Sequence, residues 1–232
     1  MKRKISIILL LFTFFATKVH ASFIDAILSA FTAKPAFNQT DNSKHIYADT
    51  QNHWCNYAAE RLYTEGIFKG IQIGNTHYFM PEESITRGEF LLYLNSILKK
   101  DVSENVSLPF ADTASIPKWQ LPTVGAMYKA GIIHGNTEKQ KLYFNHDEKI
   151  SRLDCAIILN NVLGIDTKHS QADFYDSYLI PKYAISAVKN ASDYGLMKGY
   201  DDGSFRPYIK ITRGMLADIL CNVKDYTESK SK

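Results

Sequence analysis

A mainly helical fold is predicted: three helix–loop–helix repeats forming a pseudo-threefold bundle with short strand-like connectors. Three observations predict it. Three segments open on an aromatic-x-Asp triplet: Tyr47-Ala48-Asp49, Phe110-Ala111-Asp112 and Phe174-Tyr175-Asp176. Each closes on Ile, a hydroxyl residue and Arg: Ile85-Thr86-Arg87, Ile150-Ser151-Arg152 and Ile211-Thr212-Arg213. Asp-to-Asp spacing is 63 then 64, and Arg-to-Arg spacing is 65 then 61, so one unit recurs at a nearly fixed period. The units are bounded at 46–100, 108–165 and 172–224. A single unit of this size would bury a marginal core, so three are expected to cooperate.

The first helix of each unit is expected just after the Asp. Trp54 to Glu65 carries Trp54, Tyr57, Ala58 and Leu62 near helical spacing. The second copy has Pro117, Val124, Ala126, Met127 and Ala130, and the third has Pro181, Ile185, Val188 and Ala191. Gly66, Gly131 and Gly195 follow as helix stops, where a left-handed residue is wanted. Each stop opens a five-residue segment bracketed by glycines, Gly66–Gly70, Gly131–Gly135 and Gly195–Gly199, which reads as strand-like. A variable loop then returns through Phe79, Phe144 or Phe205.

The second helix opens on a capping signal. Thr86-x-x-Glu89 is a capping box and Ser151-x-x-Asp154 a shorter form, whereas Thr212 faces Met215. Behind them run apolar stripes: Phe90, Leu91, Leu94, Ile97, Leu98; Cys155, Ile158, Leu159, Val162, Leu163; Met215, Leu216, Ile219, Leu220, Val223. Three equivalent stripes suit packing about a pseudo-threefold axis.

Residues 1–21 read as a signal peptide, with Lys2, Arg3 and Lys4 before an apolar run too short to span a bilayer. Four of the 27 basic residues lie in that leader and none of the 24 acids do. The remainder is 23 basic against 24 acidic, net −1. That removes the argument for nucleic acid, which needs a basic face, and no transmembrane span is expected once the leader is cleaved. Residues 22–45 read as a linker, with Phe23, Ile24, Ile27, Leu28 and Phe31 on one face of a short amphipathic helix. That face, within 23–31, would dock on the repeats or contact a protein partner. Residues 225–232 read as a polar, disordered tail. Cys55, Cys155 and Cys221 form no metal-ligand spacing; buried thiols, or one disulfide with one thiol left over, are both compatible with the sequence.

At these motifs the chain resembles the S-layer homology domain family. The third copy is the clearest: Gly199-Tyr200-Asp201-Asp202-Gly203-Ser204-Phe205-Arg206-Pro207, then Ile211-Thr212-Arg213. The resemblance covers about residues 46 to 224. It implies a pseudo-trimer with a central helical bundle, three prongs and grooves between adjacent repeats. It also implies non-covalent binding of an acidic secondary cell-wall polysaccharide, often bearing a pyruvate ketal, or of peptidoglycan. On that resemblance Arg87, Arg152 and Arg213 would meet the carboxylate. Asp49, Asp112 and Asp176 would accept sugar hydroxyls or orient the Arg, and Trp54, Trp119 and Tyr183 would stack on a sugar face. The chain would then be a secreted protein of the cell wall or cell surface.

The chemistry suits these residue types. A guanidinium matches a carboxylate bidentately, and a helix N-terminus with free N–H groups favours an anion. Each residue also has a structural alternative: Arg as one half of an Arg–Asp pair between repeats, the aromatics as core, Asp as a turn or helix cap. The signature's Thr-Arg-Ala-Glu is altered here, with Gly88, Leu153 and Gly214 at the Ala position and Glu89, Asp154 and Met215 at the acid position. The grooves are therefore expected to be unequal. If the Arg residues bind ligand, Ala replacements would weaken wall binding and leave the helical spectrum intact.

A protein-binding role on the same fold is the alternative. Catalysis is not expected. Glu82-Glu83 and Asp201-Asp202 are adjacent in sequence, which does not place two carboxylates across a scissile bond, and the histidines form no catalytic or metal motif. No cofactor and no metal site is expected.

Overall fold

The computed structural model describes residues 45–102, 107–164, 168 and 172–230. The signal peptide, the amphipathic segment and most of the linker lie outside the described residues. The backbone falls into two compact units that divide between Met80 and Pro81.

In the first unit, helix α1 spans Asn56–Thr64 and buries Ala58, Ala59 and Leu62. Trp54 and Tyr57 do not belong to its apolar face: they are 61% and 76% exposed. Small residues form that face instead, with Cys55 buried just ahead of it. The helix ends in a Schellman motif, in which Gly66 N–H donates to Tyr63 O and Ile67 N–H to Leu62 O. The Gly-bracketed segment that follows is irregular. The strands come later, β1 Ile71–Ile73 and β2 Thr76–Tyr78, paired antiparallel with Ile71 opposite Tyr78. Gly70 sits where a Cβ would stand 2.5 Å from the Tyr47 ring, so the opening aromatic and the glycine determine each other.

The second unit carries the remaining helices: α2 Arg87–Leu98, α3 Leu121–Lys129, α4 Arg152–Leu163, α5 Ile185–Asp193 and α6 Arg213–Lys230. Strands β3 Asn136–Glu138 and β4 Lys141–Tyr143 repeat the hairpin in the second copy. The third copy replaces it with a tight turn, in which Gly203 N–H donates to Tyr200 O and Tyr200 N–H to Ser204 O. Gly131 and Gly195 terminate α3 and α5 with φ of +69° and +70°. A Cβ at Gly131 would meet nothing within 4 Å. Gly131→Ala is therefore a pure backbone test, expected to cost about 1–2 kcal/mol in urea unfolding.

The three closing motifs meet in a ring. Ile85 N–H donates to Ile211 O, Ile211 N–H to Ile150 O, and Ile150 N–H to Ile85 O, at 3.0, 2.9 and 3.2 Å. All three isoleucines are at most 2% exposed. This closed cycle of backbone bonds is the pseudo-threefold axis, made by the same residue of each repeat. Around it α3 packs on α2 and α5 on α4, each a first helix on the second helix of the preceding repeat, while α6 packs on α2. Helices of adjacent repeats thus share a core.

Two capping boxes are complete: Thr86 with Glu89, and Ser151 with Asp154. The third is half present, with Met215 N–H donating to Thr212 Oγ1 at 3.4 Å. The expected disordered tail is helical instead, to Lys230. Tyr226 packs edge-on against Tyr194 at the end of α5, and Lys224 pairs with Glu228 one turn on. These contacts extend α6 to 18 residues, against 12 for α2 and α4. All three cysteines are buried and no disulfide joins them.

Candidate glycan-binding grooves

The three aspartates do one job three times. Asp49 accepts N–H bonds from Phe79 and Met80, Asp112 from Phe144 and Asn145, and Asp176 from Phe205 and Arg206, all at 2.7–2.8 Å. The second donor of each pair has left-handed backbone: Met80, Asn145 and Arg206 have φ of 57°, 56° and 56°. A non-glycine residue there costs energy, and two charge-assisted bonds from a carboxylate offset it. The turn-holding alternative is therefore realised in every copy. Asp112 and Asp176 direct both oxygens at backbone N–H groups.

The arginines open the second helices. Arg87, Arg152 and Arg213 are 8%, 6% and 2% exposed. Their helix N-termini are not open to an anion. Arg87 N–H donates to Glu148 O, Gly88 N–H to His146 O and Glu89 N–H to Thr86 Oγ1. Arg152 and Leu153 donate likewise to Ile209 O and Pro207 O, and Arg213 and Gly214 to Glu83 O and Pro81 O. Each helix start is capped by the loop of the next repeat, cyclically. The expectation of free N–H groups is thereby corrected, because repeat-to-repeat docking occupies them.

Arg152 is held by two of its donors. Its Nε donates to Phe205 O at 2.8 Å and its Nη2 to Lys198 O at 2.7 Å. Its guanidinium lies 4.6 Å from the Phe205 ring centroid and 5.0 Å from that of Tyr200. Arg87 lies 5.6 Å from the Phe144 centroid, and its Nε has no hydrogen-bond partner among the described residues. Burial pulls the Arg87 guanidinium below its ordinary pKa, which Asp154, Cys155 and Glu148 partly offset. The two arginines occupy equivalent positions but differ in what they hold.

Trp54 and Tyr183 are surface aromatics, 61% and 78% exposed, so neither is core. Trp119 is half-buried. Tyr183 lies on a 3-10 turn, Lys182–Ala184, that leads into α5 and touches α4. Sequence reasoning missed Gln120, which is 4% exposed and sits against Gly88. The signal for it was Gly88 itself, a small residue at a helix start where the family pattern has Ala. Sequence reasoning also missed Tyr200, whose ring Arg152 and Arg206 both approach.

Among the described residues no cluster of His, Cys, Asp or Glu could hold a metal, and no helix is long and apolar enough to cross a membrane. The fold defines a class: a three-repeat helical module whose second-helix starts interlock through backbone bonds, with an Arg at each start. The S-layer homology domain matches residues 46–91, 109–154 and 173–214, more than half the chain. The chain belongs to the S-layer homology domain family and is a protein of the cell surface or cell wall. An endoglucanase of a Bacillus species is 27% identical over 207 residues, covering 85% of this chain and 21% of the endoglucanase. An S-layer protein of Bacillus anthracis is 28% identical over 155 residues, covering 65% of this chain and 17% of its own. An amylopullulanase of Thermoanaerobacterium thermosulfurigenes is 27% identical over 197 residues, covering 79% of this chain and 10% of its own. The chain thus spans about a fifth or less of these relatives.

Proposed function

We infer that this protein is a non-catalytic anchor that binds an acidic cell-wall polysaccharide non-covalently through the grooves between its repeats. The observation that carries the reading is the buried Arg87, whose Nε has no hydrogen-bond partner among the described residues beside a repeat junction. A buried guanidinium without a full set of acceptors is costly, and a sugar carboxylate is a suitable acceptor. The exposed Trp54 and Tyr183 supply flat apolar faces suited to sugar C–H surfaces. Relatives as different as an endoglucanase and an S-layer protein align with the same stretch, as expected for a tether rather than an active site.

A second reading, contact with a protein, draws on Tyr175, Tyr178 and Tyr208 of the third repeat, all more than half exposed. The deciding experiment is co-sedimentation of the protein with walls of its source organism, before and after mild acid extraction of the non-peptidoglycan polymer. Binding lost on extraction supports the polysaccharide anchor. Binding retained after extraction points to peptidoglycan, and no binding to either preparation favours the protein partner.

A further inference from the structure

The second and third repeats align without a gap over two stretches, so each serves as a control for the other. Phe110–Trp119 matches Phe174–Tyr183, and Phe144–Arg152 matches Phe205–Arg213. Their local structure matches too. A 3-10 turn follows each opening Asp, at Thr113–Ser115 and Ser177–Leu179, and each Asp clamps the returning loop. Five positions nevertheless differ in kind. The second repeat has Ala111, Ala114, Ser115, Asp147 and Glu148, where the third has Tyr175, Tyr178, Leu179, Tyr208 and Ile209. All ten residues are exposed. The second repeat makes the same turns with small and acidic residues, so the fold does not require the apolar set of the third.

Hydrogen bonding and packing bring that set together. Tyr208 Oη donates to Leu179 O at 3.0 Å, which ties the loop after Phe205 to the 3-10 turn. Tyr175 packs over Gly203, where a Cβ would stand 2.8 Å from its ring. Tyr175, Tyr178 and Tyr208 are each more than half exposed and together offer on the order of 400 Å². A standard interface buries ~800 Å² per partner, so this face suits a weak, reversible contact. Its composition favours protein over sugar. Leu179 and Ile209 give a sugar no flat face, and Tyr208 and Ile209 replace the carboxylates that would accept its hydroxyls.

Charge names the occupant. At these positions the second repeat sets Asp147 and Glu148 beside Lys118 and Lys149, whereas the third keeps Lys182 and Lys210 and has no acid. The second-repeat face is thus the complement of the third: small where the other is bulky, acidic where the other is cationic. We propose that the third-repeat face of one copy docks on the second-repeat face of another. Tyr175 and Tyr178 meet the small side chains of Ala111, Ala114 and Ser115, and Asp147 and Glu148 meet Lys182 and Lys210. Two different faces joined in this way make a heterologous, head-to-tail contact, which builds chains or rings of copies. The proposal rests on the protein-contact reading of the tyrosines, names the partner as a second copy, and is independent of the groove anchor.

Sedimentation velocity of the full chain over a range of concentrations tests it. The wild type is expected to associate reversibly at micromolar concentration and less so in high salt. Tyr208→Asp with Ile209→Glu gives the third repeat the acid pair that the second already carries, so the fold is retained. Asp147→Lys with Glu148→Gln reverses the charge of the opposite face. Each double variant is expected to lose association at least tenfold. Mixed together they are expected to form a one-to-one dimer and nothing larger, because each retains the face the other lacks. A monomeric wild type overturns the second copy as partner, while the wall co-sedimentation separately decides between the anchor and protein-contact readings. Association that survives both variants arises elsewhere in the chain and overturns the assigned faces, as does a mixture that stays monomeric. Loss of wall binding in the Tyr208→Asp, Ile209→Glu variant with association unchanged would show a glycan face instead.

Discussion

Arg152→Ala is expected to destabilise the protein by about 3–5 kcal/mol, the sum of two hydrogen bonds from a charged donor, one to a buried and one to a part-buried carbonyl. Arg152 bridges Phe205 O and Lys198 O of the third repeat and lies over the Phe205 and Tyr200 rings. Truncation leaves both carbonyls without that donor and opens a void beneath two aromatic rings. The melting temperature is expected to fall on the order of 10 °C. This reverses the sequence-based expectation for Arg152, which was weaker wall binding with the helical spectrum intact. Circular dichroism during urea titration checks it. An Arg152→Ala protein that unfolds at the wild-type midpoint would refute a structural role for this side chain.

Asp176→Ala is expected to cost about 2–4 kcal/mol, because its carboxylate receives two charge-assisted bonds from Phe205 and Arg206 N–H. The second of these holds Arg206 at φ +56°. Without the carboxylate the turn loses its clamp and keeps its strain. The strain component is separable: Arg206→Gly in the Asp176→Ala background should restore about 1 kcal/mol, since glycine accepts that backbone at no steric cost. Arg206 also pairs with Asp202 through an exposed contact, which is worth little and leaves the balance positive. Chemical denaturation of the single and double variants checks both values. If the glycine fails to recover stability, strain at Arg206 is not what Asp176 offsets.

Several features were readable in the chain before any coordinates. Gly66, Gly131 and Gly195 end their helices in left-handed backbone because only glycine takes that conformation freely. Thr86-x-x-Glu89 and Ser151-x-x-Asp154 form their boxes because a capping box is closed within four residues. Trp54 was misplaced on an apolar face for the opposite reason: spacing alone does not say whether a helix start is covered by another element. The tail was misjudged because the partner of Tyr226 is Tyr194, 32 positions away.

The fate of the arginines shows the same division. The repeat pattern alone determined that Arg87, Arg152 and Arg213 are equivalent, and that Asp49, Asp112 and Asp176 accompany them, because local motifs recur wherever the same residues recur. It also determined the helical class, since capping, stops and stripe periodicity act over a few residues. Tertiary structure alone decided that the aspartates face backbone, that Ile85, Ile150 and Ile211 close a ring, and that each helix start is capped by the next repeat's loop. It also decided that Arg152 is satisfied while Arg87 Nε is not. The physical reason is range: a carbonyl 53 residues away from Arg152 is brought to 2.8 Å only by the docking of whole repeats.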